Sequence, residues 1–269
     1  MNIRAIAFDM DDTLLRDDRT ISSYTLEVLR RAASEGVHII PASGRARDSL
    51  RPFVEEIGCA SLFIACNGAE VWTPELSLLR SFSFPDSTAQ EIVAFARAHR
   101  CYAQTYDSTH FYYLLENQYA RDYAAASMIK GFYTPDMEGF IRAHPTSKIL
   151  LMDDPARVAA MLAEAGAQFA GRASVTCSKP FFLEFNPPEA TTGNALAACG
   201  EQLGFSLADC AAFGDSLNDL SMLTAVGFGC VVANCRPDVR ARVAHVCGDN
   251  MSDGVARMIA SLLWKEERL

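Results

Sequence analysis

Asp9 and Asp11 follow directly on the apolar run Ile6, Ala7, Phe8, with Asp12 and Thr13 behind them. Side chains two residues apart in extended chain point the same way, so Asp9 and Asp11 are expected to share one pocket while Met10 turns opposite. Two carboxylates placed like this suit a hard, oxygen-seeking cation such as Mg2+. They equally suit a pair of acids split between nucleophilic and proton-transfer roles. A short continuous apolar run reads as a buried parallel strand, and open α/β sheets bind ligands just beyond the carboxyl ends of such strands. An acidic turn that caps the next helix would use the same residues without any chemistry.

The pattern recurs at two further strand ends. Val37 to Ile40 is a second apolar run, followed by Pro41, Ala42, Ser43, Gly44 and Arg45 and then a helical stretch over 46–57. Backbone N–H groups at a strand-to-helix turn, with a hydroxyl and a glycine that permits close approach, make an anion cradle, although Ser43 could also be a simple helix cap. Cys210 to Phe213 is a third run, and Gly214, Asp215, Ser216, Leu217, Asn218 and Asp219 follow at once. Asp215 is placed to complete a metal site with Asp9, and Asp219, one helical turn on, faces the same way and is suited to orienting a ligand or a neighbour. Coincidence is a poor account of Asp, Ser and Asp at three separate strand ends.

On these residues the chain resembles the haloacid dehalogenase superfamily of Mg2+-dependent phosphohydrolases, and within it the Cof-like sugar-phosphate phosphatases that carry an inserted α/β cap. Asp9 to Thr13 is similar to the family's first motif, Ser43–Gly44–Arg45 to its second, and Gly214 to Asp219 to its fourth; Asn67–Gly68–Ala69, Ala233–Asn234 and Asp253 to Ala256 agree with secondary signatures. The resemblance implies that Asp9 is the nucleophile, forming an aspartyl-phosphate, and that Asp11 protonates the leaving oxygen and later activates water. It implies that Ser43 holds a phosphoryl oxygen, with Gly44, Arg45 and Asn218 beside the substrate. Metal contacts are implied for Asp9, Asp215 and Asp11 through its backbone carbonyl, with Asp219 and Asn218 arranging the ion and its waters. Arg45 and Arg47 lie near this phosphate site and either contact substrate or pair with the acids. The second acid selects between reactions, because expelling halide needs no proton whereas an alkoxide leaving group does.

One position departs from the family pattern. A lysine is expected at the start of the helix after the cap, and Thr192 stands there, within Ala190, Thr191, Thr192, Gly193 and Asn194. Losing one preorganised charge at a phosphoryl group typically costs on the order of 10² to 10³ in rate. The lysines are Lys130, Lys148, Lys179 and Lys265. Lys179 is nearest to the gap in sequence and is expected on the cap, whereas Lys148, opening an apolar strand, reads as structural. The site is therefore expected to be vacant or partly compensated, with slow turnover. A weak or non-catalytic phospholigand-binding relative and a phosphomutase on the same scaffold are the competing readings. A receiver-type signalling module, which also phosphorylates an Asp at a strand end, would need neither this length nor Asp11.

The fold expected is α/β, a doubly wound, mostly parallel Rossmann-like core with an inserted α/β cap: core over residues 1–85 and 188–269, cap over 86–187, with Pro187–Pro188 at the exit. Ser87 with Gln90 suggests a capping box for the first cap helix. Strands are expected over 101–106 and 110–116 about a turn at Asp107, Ser108 and Thr109, and near 168–170, 174–177 and 181–185. Tyr102, Tyr106, Phe111, Tyr112 and Tyr113 suit stacking on a ligand ring but equally suit ordinary strand packing. His110 and His144 read as surface or loop residues.

Half of the 269 residues are hydrophobic, enough to bury a large core. A net charge of −9 and a pI near 5.1 argue against a nucleic-acid groove or an anionic membrane surface, and the ligand expected is a small phosphorylated metabolite. Nine cysteines without close metal-type pairing look like small core residues in a reducing compartment, which leaves Mg2+ rather than zinc as the expected ion. The first strand contains Asp9, so a cleavable leader is not expected within it, and the longest uncharged stretch, Leu220 to Cys235, is too short to span a bilayer. A cytoplasmic location is expected.

Overall fold

Strand and helix alternate from the start of the chain in the computed structural model, which describes residues 2–107 and 109–265. The first strands are β1 (Ala5–Asp9), β2 (His38–Ala42), β3 (Phe63–Ala65), β4 (Glu70–Trp72) and β5 (Leu78–Ser81), with helices α1 (Ser23–Ser34) and α2 (Arg47–Ile57) between them. The Ser22 hydroxyl accepts the Thr25 amide at 3.0 Å and caps the start of α1.

An insertion follows, with α3 (Asp86–Ala98), β6 (Tyr102–Tyr106), β7 (Phe111–Tyr113), α4 (Gln118–Ser127), β8 (Gly131–Tyr133), α5 (Met137–Ala143), β9 (Ile149–Met152), α6 (Pro155–Gln168), β10 (Ser174–Thr176) and β11 (Phe182–Asn186). The chain then returns with α7 (Thr192–Leu203), β12 (Cys210–Gly214), α8 (Leu220–Ala225), β13 (Phe228–Val231), α9 (Pro237–Arg240), β14 (His245–Val246) and α10 (Gly254–Trp264).

Eight strands form the core sheet in the order β14-β13-β12-β1-β2-β3-β4-β5. Pairing is parallel from β14 to β3 and antiparallel at β4 and β5. Strand β1 shows how the sheet is covered on both faces. Ile6 and Phe8 pack with residues of α1, α2 and α10, while Ala5 and Ala7 pack against α7 and α8. A strand buried on both sides must be apolar throughout, which is why it reads as a run rather than an alternation. Register then builds one edge. Phe8 lies level with Phe213 and Asp9 with Ala42, so Asp9, Ser43 and Asp215 emerge together at the carboxyl ends of three neighbouring strands.

The inserted sheet has the order β10-β11-β9-β6-β7-β8, antiparallel except for β7 with β8. Helices α3, α5 and α6 cover one face. The other face, with Tyr102, Tyr106, Leu150 and Met152, packs with α4 and with Ala46, Cys66 and Ala69 of the core. Local expectations fail in several places here. Ser87 lies inside α3, whose N-cap is Pro85 with no side-chain bond, so the capping box is not formed. Residue 168 ends α6 instead of starting a strand, and β8 and α5, too short to show a period, escape sequence reading. Ser108 of the expected turn lies outside the described residues.

All nine cysteines are free thiols, seven of them buried. Among the described residues, no helix is long and apolar enough to cross a membrane.

Candidate active site

The site is built where β1, β2 and β12 end. After β1 the backbone makes a tight turn over Met10–Leu14, with Asp12 at φ 61°. That left-handed residue presents its carbonyl to the Asn234 amide at 2.7 Å, which gives the Ala233–Asn234 pair a structural use. Asp9, Asp11, Ser43, Gly44, Arg45, Asp215 and Asn218 all line one cavity of about 440 Å3 between core and inserted sheet.

Asp9, Asp215 and Asp219 each bring one carboxylate oxygen within 4.8 Å of the others. Asp219 is almost fully buried and uses Oδ2 to accept the amides of Asp215 and Ser216, both at 3.0 Å. Its Oδ1 is buried with no partner among the described residues. Asp215 receives the Thr13 hydroxyl at 3.1 Å. Burial first, then the charges of Asp219, Asp215 and Asp11, push Asp9 far above the carboxylate range. Burial and Asp219 raise Asp215 to about 8, and burial raises Asp219 to about 6 against the pull of the two amides. Two buried acids and a half-buried one, with one orphaned oxygen, fit a hard divalent cation, which prefers carboxylate oxygens and would discharge their repulsion. Asp219 thus sits in the acidic cluster itself instead of only behind it, while the Asp11 carboxylate lies outside that cluster.

Asp11 belongs to a different pair. Arg45 grips it with two hydrogen bonds, Nε to Oδ2 and Nη2 to Oδ1, each 2.7 Å. Burial works to raise the Asp11 pKa, but Arg45 above all, and then Lys179 and Arg19, hold it below the usual value. Pairing, the alternative considered for this arginine, is what the geometry shows. Arg47 turns away, bonding Asp48 at 2.8 Å and lying over Trp72.

Ser43 is buried, its hydroxyl accepting the Arg45 amide at 3.2 Å, so the turn after β2 is self-braced. A Cβ on Gly44 would stand 2.7 Å from Asn67 Oδ1, so any larger residue there would have to displace the Asn67 amide. Lys148, which reads as a framework residue, reaches this turn from the inserted sheet: its Nζ donates to the Gly44 carbonyl at 2.7 Å and pairs with Glu184. Asn67 ties the same region together, donating to Glu184 and Asn186 at 3.2 and 3.0 Å and accepting from Asn218 at 3.3 Å. Lys179 also lines the cavity, half-exposed and 3.9 Å from Asp12. Glu184 escapes sequence reading, and Lys148, read as structural, pairs with it: Lys148 immediately precedes β9, and Glu184 lies in β11, which pairs with β9.

The five aromatics singled out on β6 and β7 do not line the cavity. Tyr119, Tyr123, Phe181 and Phe182 do. Tyr102, Tyr106 and Phe111 are buried in strand packing, and neither His110 nor His144 reaches the cavity.

A family model described as haloacid dehalogenase-like hydrolase matches residues 6–259. The chain belongs to this family. The hydrolase is 27% identical over 96% of its length, and 95% of the relative's, to the 5-amino-6-(5-phospho-D-ribitylamino)uracil phosphatase YcsE of Bacillus subtilis. It is 28% identical to the HMP-PP phosphatase of Cronobacter sakazakii, over 89% of this chain and 88% of that one. A solved haloacid dehalogenase-like hydrolase from Bacteroides thetaiotaomicron superimposes with a TM-score of 0.84 at 25% identity, covering 97% of this chain and 100% of the other.

The raised carboxyl pKa values give this hydrolase a pH signature. Metal-free and folded, it holds protons on Asp215 and Asp219 that the unfolded chain, with carboxyl pKa values near about 4, has already released. Their contribution to stability is therefore full below about pH 4 and is lost as pH rises through the folded values. In EDTA, the melting temperature should fall between pH 5.5 and 8.5 by clearly more in wild type than in Asp215→Asn. Parallel melting curves for the two proteins would show the raised pKa values to be wrong.

Proposed function

We propose that this hydrolase cleaves a small phosphomonoester with the help of Mg2+, through a phosphorylated Asp9. The observation that supports this reading is the meeting of carboxylate oxygens of Asp9, Asp215 and Asp219, with Asp9 and Asp215 lining one cavity together with Ser43 and Gly44. Asp9, Asp215 and Asp219 would hold the ion, which when bound supplies positive charge against the acids and the phosphoryl oxygens. An Asp9 oxygen attacks phosphorus as the bond to the leaving oxygen breaks. Asp11 gives that oxygen a proton, and then takes one from the water that releases Asp9 as free carboxylate. The Arg45 clamp fixes Asp11's orientation; by lowering its pKa it favours the base step and opposes the acid step, which runs from the protonated form of Asp11. Ser43 and the backbone around Gly44 offer donors for the phosphoryl oxygens.

The remainder of the substrate meets an apolar wall. Tyr119, Tyr123, Leu150, Met152, Phe181 and Phe182 line the cavity from the inserted sheet and α4. A leaving group with a flat apolar ring buries more surface there than a polyhydroxylated one. Benzyl phosphate and glucose 6-phosphate both leave as primary alcohols, so comparing them with Mg2+ isolates recognition. The kcat/KM for benzyl phosphate should exceed that for glucose 6-phosphate by about tenfold, the scale of one small apolar group in a pocket. Equal values would remove the wall's role, and no phosphate release from any phosphomonoester in a wider screen would remove the phosphatase reading.

A further inference from the structure

Phosphoryl transfer at this site gathers negative charge from Asp9, Asp215, Asp219 and the phosphate itself, and a single divalent ion does not balance it. A fixed cation beside the phosphoryl oxygens lowers the barrier, provided that it is held rigidly and away from water. Four cations line the cavity from outside the acidic cluster, and one of them, Arg19, is exposed and donates to the Ala126 carbonyl. Arg45 is committed to Asp11 by two hydrogen bonds. Lys179 is half-exposed and nearest to Asp12. Lys148 is 3% exposed, donates to the carbonyl of Gly44 next to Ser43, and lines the cavity with Asp9 and Ser43.

We infer that Lys148 is the fixed cation of the phosphoryl site, delivered by the inserted sheet instead of by the helix that follows it. An ammonium has three donors, and the Gly44 carbonyl and Glu184 occupy two. Glu184 keeps the lysine charged: burial opposes the charge, but the carboxylate outweighs it and holds the Lys148 pKa above the ordinary value. Glu184 is in turn kept ionised by Lys148, by the Ser178 amide at 3.2 Å and by Asn67. The corresponding place on α7 is filled by a neutral side chain with its own bonds, since the Thr192 hydroxyl donates to the Asn218 carbonyl at 2.8 Å and lies 2.9 Å from Ser221 Oγ.

Position has a mechanistic result. A charge carried by the insertion reaches the phosphoryl group only when insertion and core are together. The same contact is secured by Arg19 and Arg45, which both donate to the Ala126 carbonyl at the end of α4, and by Asn186, which donates to the Cys66 carbonyl. Seating the insertion therefore completes the electrostatics of the site as well as excluding water.

This inference rests on the phosphatase reading, and its test separates the two. Lys148→Met combined with Glu184→Gln removes both charges without stranding either, and should fold. Its kcat should fall by about 10² to 10³ with a smaller change in KM, and orthovanadate should no longer raise its melting temperature. Thr192→Lys in the otherwise unchanged protein should give no more than about a twofold rise in kcat, because the charge is already supplied. A folded double variant within about threefold of wild-type kcat, or a Thr192→Lys protein about tenfold faster than wild type, would overturn the assignment. Orthovanadate binding reads the role of Lys148 without turnover, so a wild type that binds it through Lys148 but releases no phosphate would remove the phosphatase reading and leave this one standing.

Discussion

Asp9→Asn is expected to lower kcat by at least about 10⁴-fold, the scale on which removal of a nucleophile acts, while raising the stability of the metal-free protein at pH 8. The two effects have one cause. Asp9 is buried at the end of β1 with the charges of Asp219, Asp215 and Asp11 around it, and both burial and those charges oppose its ionisation. An amide of the same shape keeps the packing and removes the repulsion. Sites that hold like charges together for chemistry give up stability, and a substitution that removes function often recovers it. Steady-state phosphate release and melting curves in EDTA check both halves. A variant with unchanged kcat, or one destabilised at pH 8 without metal, would contradict the placement of Asp9.

Chelation should have an effect of similar size. With EDTA in excess, phosphate release should drop by about 10³-fold or more, and added Mg2+ should restore it. The donor set is entirely oxygen, drawn from Asp9, Asp215 and Asp219, and the nine thiols are dispersed. Burial pushes several of these thiols up, to about 12 for Cys101, Cys199 and Cys210, so they stay protonated and unfit as ligands. Full activity in the chelated sample would remove the ion from the mechanism.

The strand ends that line the cavity were legible because physics concentrates their signal. An apolar run buried on both faces, broken at once by Asp9, Ser43 or Asp215, is a pattern that packing alone does not favour, and the register of β1 with β2 and β12 turns three separate runs into one edge. The inserted sheet was read less well. Its short elements β8 and α5 hold too few residues to express a period, and the aromatic pattern of β6 and β7 marked strand packing while the cavity drew on Tyr119 and Tyr123 of α4. Lys148 shows the limit most clearly. Its partners Gly44 and Glu184 lie 104 and 36 residues away, so nothing local distinguishes it from a lysine at the start of an ordinary strand. The Arg45 clamp on Asp11 is similar, since it depends on a side-chain direction across 34 residues of sequence. Thr192 alone suggested a missing charge, whereas the folded chain places a buried lysine beside the adjoining turn.

The central claim is that Asp9 carries the phosphoryl group between substrate and water, and acid-quenched rapid mixing tests it most directly. Mixing the enzyme with Mg2+ and a hydrolysed phosphomonoester, stopping within milliseconds and mapping peptides by mass should find one added phosphoryl group on the peptide containing Asp9. That addition should be absent from Asp9→Asn and labile to hydroxylamine, as an acyl phosphate is. Turnover without any phosphorylated Asp9, or a phosphoryl group on another residue, would contradict the account.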